Sequence, residues 1–585
     1  MTRKTILRPT VGLALLAVIF TGLLALDLAN RGLAWQVFWS LTGEEAPLAQ
    51  VRGVIEFAGN FTRPQPQNDP YLPVDHTGDN PFGINTFLQK EVEAIKVEEQ
   101  FRMIAAAGFG WIRQEFVWED IEVDGRGQFT DSRNDVDGDG QIDTIDGWAK
   151  YDRIVDYADQ YGIRIQARLS NPPAWSQASG DPSGFGIPDD LQDYVNFAVA
   201  TATRYRGRIT HYQIWNEPNI YPEWGALPDG SPRPVDPELY TELLCRTHDA
   251  LKAVDPSLVI ISGALAPTSS LSQRDLNDFI FLQRMYDAGA GACFDVLSMQ
   301  GYGLNSGPTD RRMRPTTVNV GRSQYIREIM VRNGDAHKPI WISEAAWNSV
   351  PTPEENADIF EPREMFGQVT PQQAADYIPQ FYERIAREWP WIGVVNYWFF
   401  TLPDASRQNE PMYYFRMVEP DFSAERPTYT PLPVYDSMRA YITGLTPTLY
   451  QGVAQADGHH AITPDVQAAV VDADGAQFGE ALQASALAFN AHGTAVRLRW
   501  QGGDATVTVN GAARTISEPA GGWHITTLAE APFPQTFTFS LDAPAPLLID
   551  SVTVVDSTLR TVLLLAALIV PVGLVFALAV IRRRF

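Results

Sequence analysis

Two glutamates stand where paired-carboxylate chemistry would need them. Glu217 closes the strand-like run HYQIWNEPN (211–219), and Glu344 sits in WISEAAWNS (341–349). Each follows an apolar, β-prone stretch, whereas an ordinary surface carboxylate lies in polar surroundings. Cleavage of a glycosidic bond needs two carboxyl groups facing one another, one carrying a proton and one ionised. The protonated one must have a raised pKa. Pro218 cannot donate to a strand ladder, so the strand stops and leaves Glu217 at its rim. Asn216, just before it, carries an amide able to bond a sugar hydroxyl. The competing reading of the pair is two structural carboxylates held in ion pairs.

Such residues need a scaffold that brings strand ends together. From about residue 80, short β-prone runs alternate with amphipathic helical runs, as a parallel α/β fold requires. The expected strands are 81–85, 110–116, 162–169, 209–216, 258–265, 294–302, 339–344 and 393–400. Helical runs lie between them, among them 188–207 and PQQAADYIPQFYERIAREW (371–389), in which Pro379 should introduce a kink. A last helical run closes the region near residue 443. Eight strand–helix units make a (β/α)8 TIM barrel, spanning 80–443, whose catalytic groups come from the C-terminal ends of strands. Glu217 ends the fourth strand and Glu344 the seventh. Residues 445–557 lose the helical period and alternate in short runs broken by Gly, Asn and Pro, the pattern of a small antiparallel β-sandwich. Residues 27–79 read as a linker, with Val51–Phe57 as a strand that joins the accessory domain.

IWNEPN, WISEAAW and Trp398 in NYWFF together resemble glycoside hydrolase clan A, the retaining (β/α)8 glycosidases, nearest to families 39 and 5. The resemblance covers about residues 80–443. It implies Glu217 as general acid/base and Glu344 as nucleophile, with Asn216 holding the substrate's 2-hydroxyl. It further implies that Arg113 supports the nucleophile, Tyr302 hydrogen-bonds it, and Trp398 floors the sugar site. One departure stands out: many clan members carry His two residues before the Tyr, and Gln300 takes that place. Trp175 in SNPPAW, on the loop after the third strand, is the next candidate to stack on a sugar, with Asn171 beside it. Trp215, Trp224 and Trp347 fit core packing better. Catalysis of this kind needs no cofactor.

DVDGDGQIDTID (135–146) has the spacing of a calcium loop, with Gly at the sixth position where the sharp bend falls. The ligands of a structural Ca2+ would be Asp135, Asp137, Asp139, Gln141 through its carbonyl, Asp143 and Asp146. The alternative is a solvated acidic turn.

Both ends of the 585-residue chain are apolar. Segment 9–26 follows Arg3, Lys4 and Arg8, and segment 561–581 precedes Arg582–Arg584; neither carries a charge. Each is close to the roughly 20 residues that cross a bilayer. The outer positions of the basic residues place both termini, 1–8 and 582–585, in the cytoplasm and the body on the extracytoplasmic side of a plasma membrane. For the first segment a cleaved signal peptide is the competitor, with Ala25 and Ala29 as small residues for cleavage. Cys245 and Cys293 lie in the exported span, as a disulfide or as two buried thiols. A net charge of -25 excludes a nucleic-acid partner, which needs a basic face, and suits a neutral carbohydrate substrate. Transglycosylation by the same pair, or an inactive carbohydrate-binding barrel, are the other functions compatible with these residues.

Overall fold

The computed structural model describes residues 9–135, 139–177, 180–421 and 428–557, with side chains from residue 17 onward. The apolar segment 561–581 and Asp137 lie outside these residues. Eight parallel strands form the centre: β1 (Phe82–Thr86), β2 (Trp111–Val117), β3 (Arg164–Ser170), β4 (His211–Ile214), β5 (Val259–Ile261), β6 (Leu297–Gln300), β7 (Ile340–Ala345) and β8 (Ile392–Tyr397). They pair in the order β5-β4-β3-β2-β1-β8-β7-β6. Parallel bridges Ile261–Val296 and Leu265–Met299 close the ring between β5 and β6. Each expected strand overlaps one of these eight, and the barrel reading holds.

One helix follows each strand: α4 (Ala94–Ala106), α5 (Ala149–Tyr161), α6 (Leu191–Arg204), α7 (Pro237–Val254), α8 (Asp278–Asp287), α9 (Ser323–Arg332), α10 (Pro371–Glu388) and α11 (Pro433–Gly444). Their starts are written locally. Asp190 and Asp236 accept from backbone amides in the first turns of α6 and α7, and Thr370 with Gln373 forms a reciprocal capping box on α10. Helix α10 continues through Pro379 as one element. Cys245 on α7 is disulfide-bonded to Cys293 ahead of β6.

The barrel lumen is layered. Trp111, Val259, Ile261, Val296, Trp341 and Val394 form an apolar plug at the bottom, where His211 stacks on Trp341 with ring centres 5.1 Å apart. Above it lies a polar layer. Gln213 Nε2 donates to Ser298 Oγ at 3.0 Å and Ser343 Oγ at 2.9 Å, and Asn396 Nδ2 donates to Gln166 Oε1 at 3.0 Å. Gly83 on β1 leaves this layer room, since a Cβ there would meet Asn396 Oδ1 at 2.1 Å. Strand alternation alone would send Ser343 and Glu344 to opposite faces. Strand β7 avoids this with an irregularity: Ile342 pairs with both Met299 and Val395, but the next partners are Glu344 with Gln300 and Ala345 with Tyr397. The extra residue lets both Ser343 and Glu344 reach the lumen.

The second domain is antiparallel and all-β, as expected for 445–557. Two long strands, Glu480–Trp500 and His524–Val555, pair with each other along most of their length and carry the shorter strands at their edges. Its separate core holds Phe489, Trp500, Phe537, Phe539 and Val552. It joins the barrel at the floor, where His460 N donates to Gly78 O at 2.8 Å just before β1.

Residues 27–79 are not a linker, and Val51–Phe57 is not a strand. Helix α1 (Pro9–Ala29) is followed by α2 (Leu33–Thr42) and α3 (Pro47–Ala58). Val51, Val54 and Ile55 favour strands by side chain, but Pro47 at the first helical position starts a helix instead. Among the described residues no single helix is long and apolar enough to cross a membrane; Ala17–Ala29 and Leu33–Thr42 reach that length only as a pair bent by 72°.

The plug sets a stability test. Trp341 is fully buried, so Trp341→Ala is expected to cost about 3–5 kcal/mol, read from urea unfolding monitored by far-ultraviolet circular dichroism.

Candidate active site

The site starts from Arg113. It lies on β2 opposite Asn85 of β1 and Gln166 of β3, one inward position beyond Trp111 of the plug. Its guanidinium is buried and bonded through all three nitrogens: Nη1 bonds Glu344 Oε1 at 2.9 Å and Asn85 Oδ1 at 2.9 Å, Nη2 bonds Asn216 Oδ1 at 2.7 Å, and Nε bonds Gln213 Oε1 at 2.7 Å. Tyr302 OH donates to the other oxygen of Glu344 at 2.7 Å. Glu344 therefore accepts one bond on each oxygen, from Arg113 and from Tyr302, which fixes the plane of its carboxyl group. Burial and the Glu344 charge push the Tyr302 phenol well above its ordinary value, so it remains a donor.

Glu217 is held by the turn that follows β4. Trp215 and Glu217 both have left-handed backbone conformations, with φ of 75° and 38°. Such values are unfavourable for bulky residues and need fixing by the surroundings. Trp215 N donates to Leu169 O at 3.1 Å and its indole to Glu223 O at 2.9 Å, while Glu217 N donates to Ala264 O at 2.9 Å. The chain turns here without reversing the lumen-facing direction, so Asn216 and Glu217 both enter the site. Gly263 is required beside this turn, because a Cβ would meet Ile214 O at 2.9 Å and Pro218 Cδ at 3.3 Å.

The two glutamates differ in environment. Burial, followed by the negative charges of Glu344 and Glu223, pushes the Glu217 carboxyl well above its ordinary value. Gln300 Nε2, donating to Glu217 Oε1 at 3.0 Å, and Arg113 oppose that shift without cancelling it. A carboxyl pushed toward its protonated form thus faces one clamped by Arg113 and Tyr302, the difference in environment that paired-carboxylate chemistry requires.

The structure brings Arg113, Asn216, Glu217, Tyr302 and Glu344 together. Trp398 stands at the end of β8 beside them, half-buried, with its backbone N donating to Ala345 O at 3.2 Å and its ring edge-on to Phe87 at 5.6 Å. Trp175 is tied to the loop after β2: its indole donates to Glu122 O at 2.7 Å and its ring meets Trp118 edge-on at 5.6 Å. Asn171 has a left-handed backbone, φ 56°, and its carbonyl accepts from Glu119 N at 2.9 Å. Trp215, Trp224 and Trp347 are core residues.

Several site residues were not picked out from the sequence. Asn85 and Gln213 orient Arg113 from β1 and β4; both occupy inward positions of strands, which a period-two reading of each strand marks as lumen-facing. Glu223, on the loop after β4, is pushed up to about 7, chiefly by burial and held down by Arg168 and a bond from Asn216. Glu115 pairs with Arg168 and accepts from Ser170 Oγ at 2.7 Å. Glu223, Glu115 and Arg168 line the side of the site next to Asn216.

The 135–146 loop lies in the connection between β2 and α5. Asp135 Oδ2 accepts from Gly140 N at 2.8 Å, and Asp139 Oδ1 accepts from Gln141 N at 2.8 Å. Asp146 accepts from Trp148 N at 3.0 Å. Among the described residues no three acidic, His or Cys side chains form a metal-ligand set.

No family model and no curated protein matches the sequence. In structure the chain is similar to a family 39 glycoside hydrolase from Bacteroides cellulosilyticus WH2, 17% identical, with a TM-score of 0.45 over 80% of this chain and 82% of that one. It is also similar to a monomeric β-xylosidase from Caulobacter crescentus CB15, 14% identical, TM-score 0.41, over 82% and 98%. A third is a family 30 endoxylanase from Clostridium papyrosolvens C71, 13% identical, TM-score 0.37, over 81% and 99%.

The raised pKa of Glu217 has a consequence for stability. A carboxyl whose folded pKa lies above the ordinary 4.5 makes the folded state bind more protons, so stability falls as pH rises above 4.5 toward the folded pKa. Glu217→Gln removes that loss. Urea midpoints of the variant and the wild type are expected to diverge with rising pH, with the variant the more stable at pH above neutrality.

Proposed function

We propose that the protein is a retaining β-glycosidase that hydrolyses a glycan or polysaccharide by double displacement. The observation that carries this reading is the pair of buried carboxyls in opposite states: Glu344 clamped by Arg113 and Tyr302, and Glu217 pushed toward its protonated form. In the first step a Glu344 oxygen attacks the anomeric carbon. The bond to the leaving oxygen breaks with its electron pair, and Glu217 gives that oxygen its proton. In the second step Glu217, now ionised, takes a proton from water. The water oxygen bonds the anomeric carbon and Glu344 departs as carboxylate. Asn216 uses its carbonyl oxygen on Arg113 and one amide N–H on Glu223, so the second N–H is the part available to a sugar hydroxyl. Trp398 supplies an aromatic face at the rim.

The enzyme is further proposed to be held on the extracytoplasmic side of a plasma membrane by segments 9–26 and 561–581. Their lack of charge, their outer basic flanks and the Cys245–Cys293 disulfide, a bond that persists in oxidising compartments, support this. The loop at 135–146 is proposed to take a structural calcium ion. Its spacing and the fold-back of Gly140 N onto Asp135 support the site.

Hydrolysis of aryl β-glycosides and β-linked polysaccharides tests the catalytic reading. Glu344→Gln is expected to lower kcat at least about 10³-fold on every substrate cleaved. Glu217→Gln is expected to lose about 10²–10⁴-fold on polysaccharide but much less on nitrophenyl glycosides, whose leaving group needs no acid. Variants of full activity would overturn the assignment. For the calcium loop, millimolar Ca2+ is expected to raise the Tm of chelator-treated protein, and Asp135→Ala to abolish that rise.

A further inference from the structure

Helix α3 has its polarity reversed, and α2, which packs Trp39 on the core, is apolar on its outer side as well. A helix packed on a globular domain normally turns its apolar stripe inward and its charges to water. Here Leu48, Val51 and Ile55, three and four residues apart on α3, point away from the barrel, with Leu48 87% and Ile55 72% exposed. Leu33 and Val37 do the same on α2, and Phe61 follows just past α3 at 82% exposed. The acidic side chains go the other way. Glu44 and Glu56 reach Arg312, itself buried, on the loop between β6 and α9, and Glu45 accepts from Tyr377 OH at 2.5 Å. Gly53 lets α3 lie close on this cluster, since a Cβ there would stand 3.3 Å from Arg312 Nη1. The most exposed charged groups are Arg31 and Arg52, with side chains 67% and 71% exposed, each ion-paired at its tip with Glu45 or Glu56.

We propose that α2 and α3 form a collar that lies in the headgroup–acyl boundary of a bilayer and fixes the β6–α9 side of the barrel to the membrane. This rests on the membrane-held reading above. An outward apolar stripe flanked by long, exposed arginine stems and following directly on an apolar helix is the chemistry of an interfacial helix rather than of a protein docking face. The geometry agrees. The apolar face is continuous with α1, whose Val18, Phe20 and Leu23 are exposed, and the α1 portion Ala17–Ala29 meets α2 at 72°. A helix running through the bilayer followed by a bend of that size lays the next helix close to the membrane plane. The buried Arg312 cluster then couples the collar rigidly to the barrel, and the enzyme cannot swing freely on its anchor.

The test uses the full chain in mixed phosphatidylcholine–phosphatidylglycerol vesicles. An environment-sensitive fluorophore is placed on Leu48→Cys, Ile55→Cys or, as control, Val466→Cys on the exposed edge of the β-sandwich. The native cysteines are bonded to each other and leave the new thiol as the labelling site. Nitroxide-bearing lipid is expected to quench the labels at 48 and 55 at least about twofold more than the label at 466, and aqueous iodide to do the reverse. Iodide reaching all three equally, on a chain that still floats with the vesicles, would overturn the collar while leaving the anchor standing. Labels shielded from both quenchers in a chain that sediments as a dimer would assign the face to a second copy. A chain that does not float with vesicles would remove the membrane reading and the collar with it.

Discussion

The buried Arg113–Glu344 ion pair is the contact on which the site depends. Arg113 gathers side chains from β1, from β4 and its following turn, and from β7 onto one guanidinium. Three distant stretches of sequence thereby acquire a common geometry. Two charges out of water are costly, and such a pair is retained only where every donor and acceptor is matched. Asn85, Gln213, Asn216 and Tyr302 do that matching. The same arrangement fixes Glu344 in place, and burial followed by the nearby Glu344 carboxylate pushes the Glu217 carboxyl well above its ordinary value. The two glutamates are therefore set by one network rather than by two independent environments.

The layers below explain how the network is held. The aromatic plug of Trp111, His211 and Trp341 fixes the diameter of the barrel floor, and the amide and hydroxyl layer above it gives Gln213 only one well-bonded orientation. Gln213 in turn fixes Arg113. Rigid strands rather than loops carry Arg113 and Glu344, which suits a site that must keep reacting groups within a fraction of an ångström. The β-sandwich attaches at the floor, at the opposite end of the barrel from the mouth.

Much of this was legible in the sequence because alternation of strand and helix is a local signal. All eight strands could be placed, and the stops after WNE and ISE marked the two glutamates as rim residues. Three features were not legible, each for a physical reason. The irregularity in β7 that turns Glu344 inward beside Ser343 is a matter of register between strands. The approach of Gln213 and Asn85 to Arg113 is a long-range contact. The α2–α3 region misled because Val51, Val54 and Ile55 favour strands by side chain, and a helix with its apolar face outward violates the usual inside–outside pattern. Glu223 escaped notice because its environment comes from β2 and β3, not from its own loop.

The central claim, that Glu344 is the nucleophile of a double displacement, is tested most directly by trapping the intermediate. The protein would be incubated with a set of 2-deoxy-2-fluoro-β-glycosyl fluorides, whose fluorine slows the second step, and its intact mass measured. The account predicts a mass gain of one fluoroglycosyl group, located by peptide fragmentation on Glu344 and absent from Glu344→Gln. Turnover of ordinary glycosides with no such adduct, or an adduct on another residue, would contradict it.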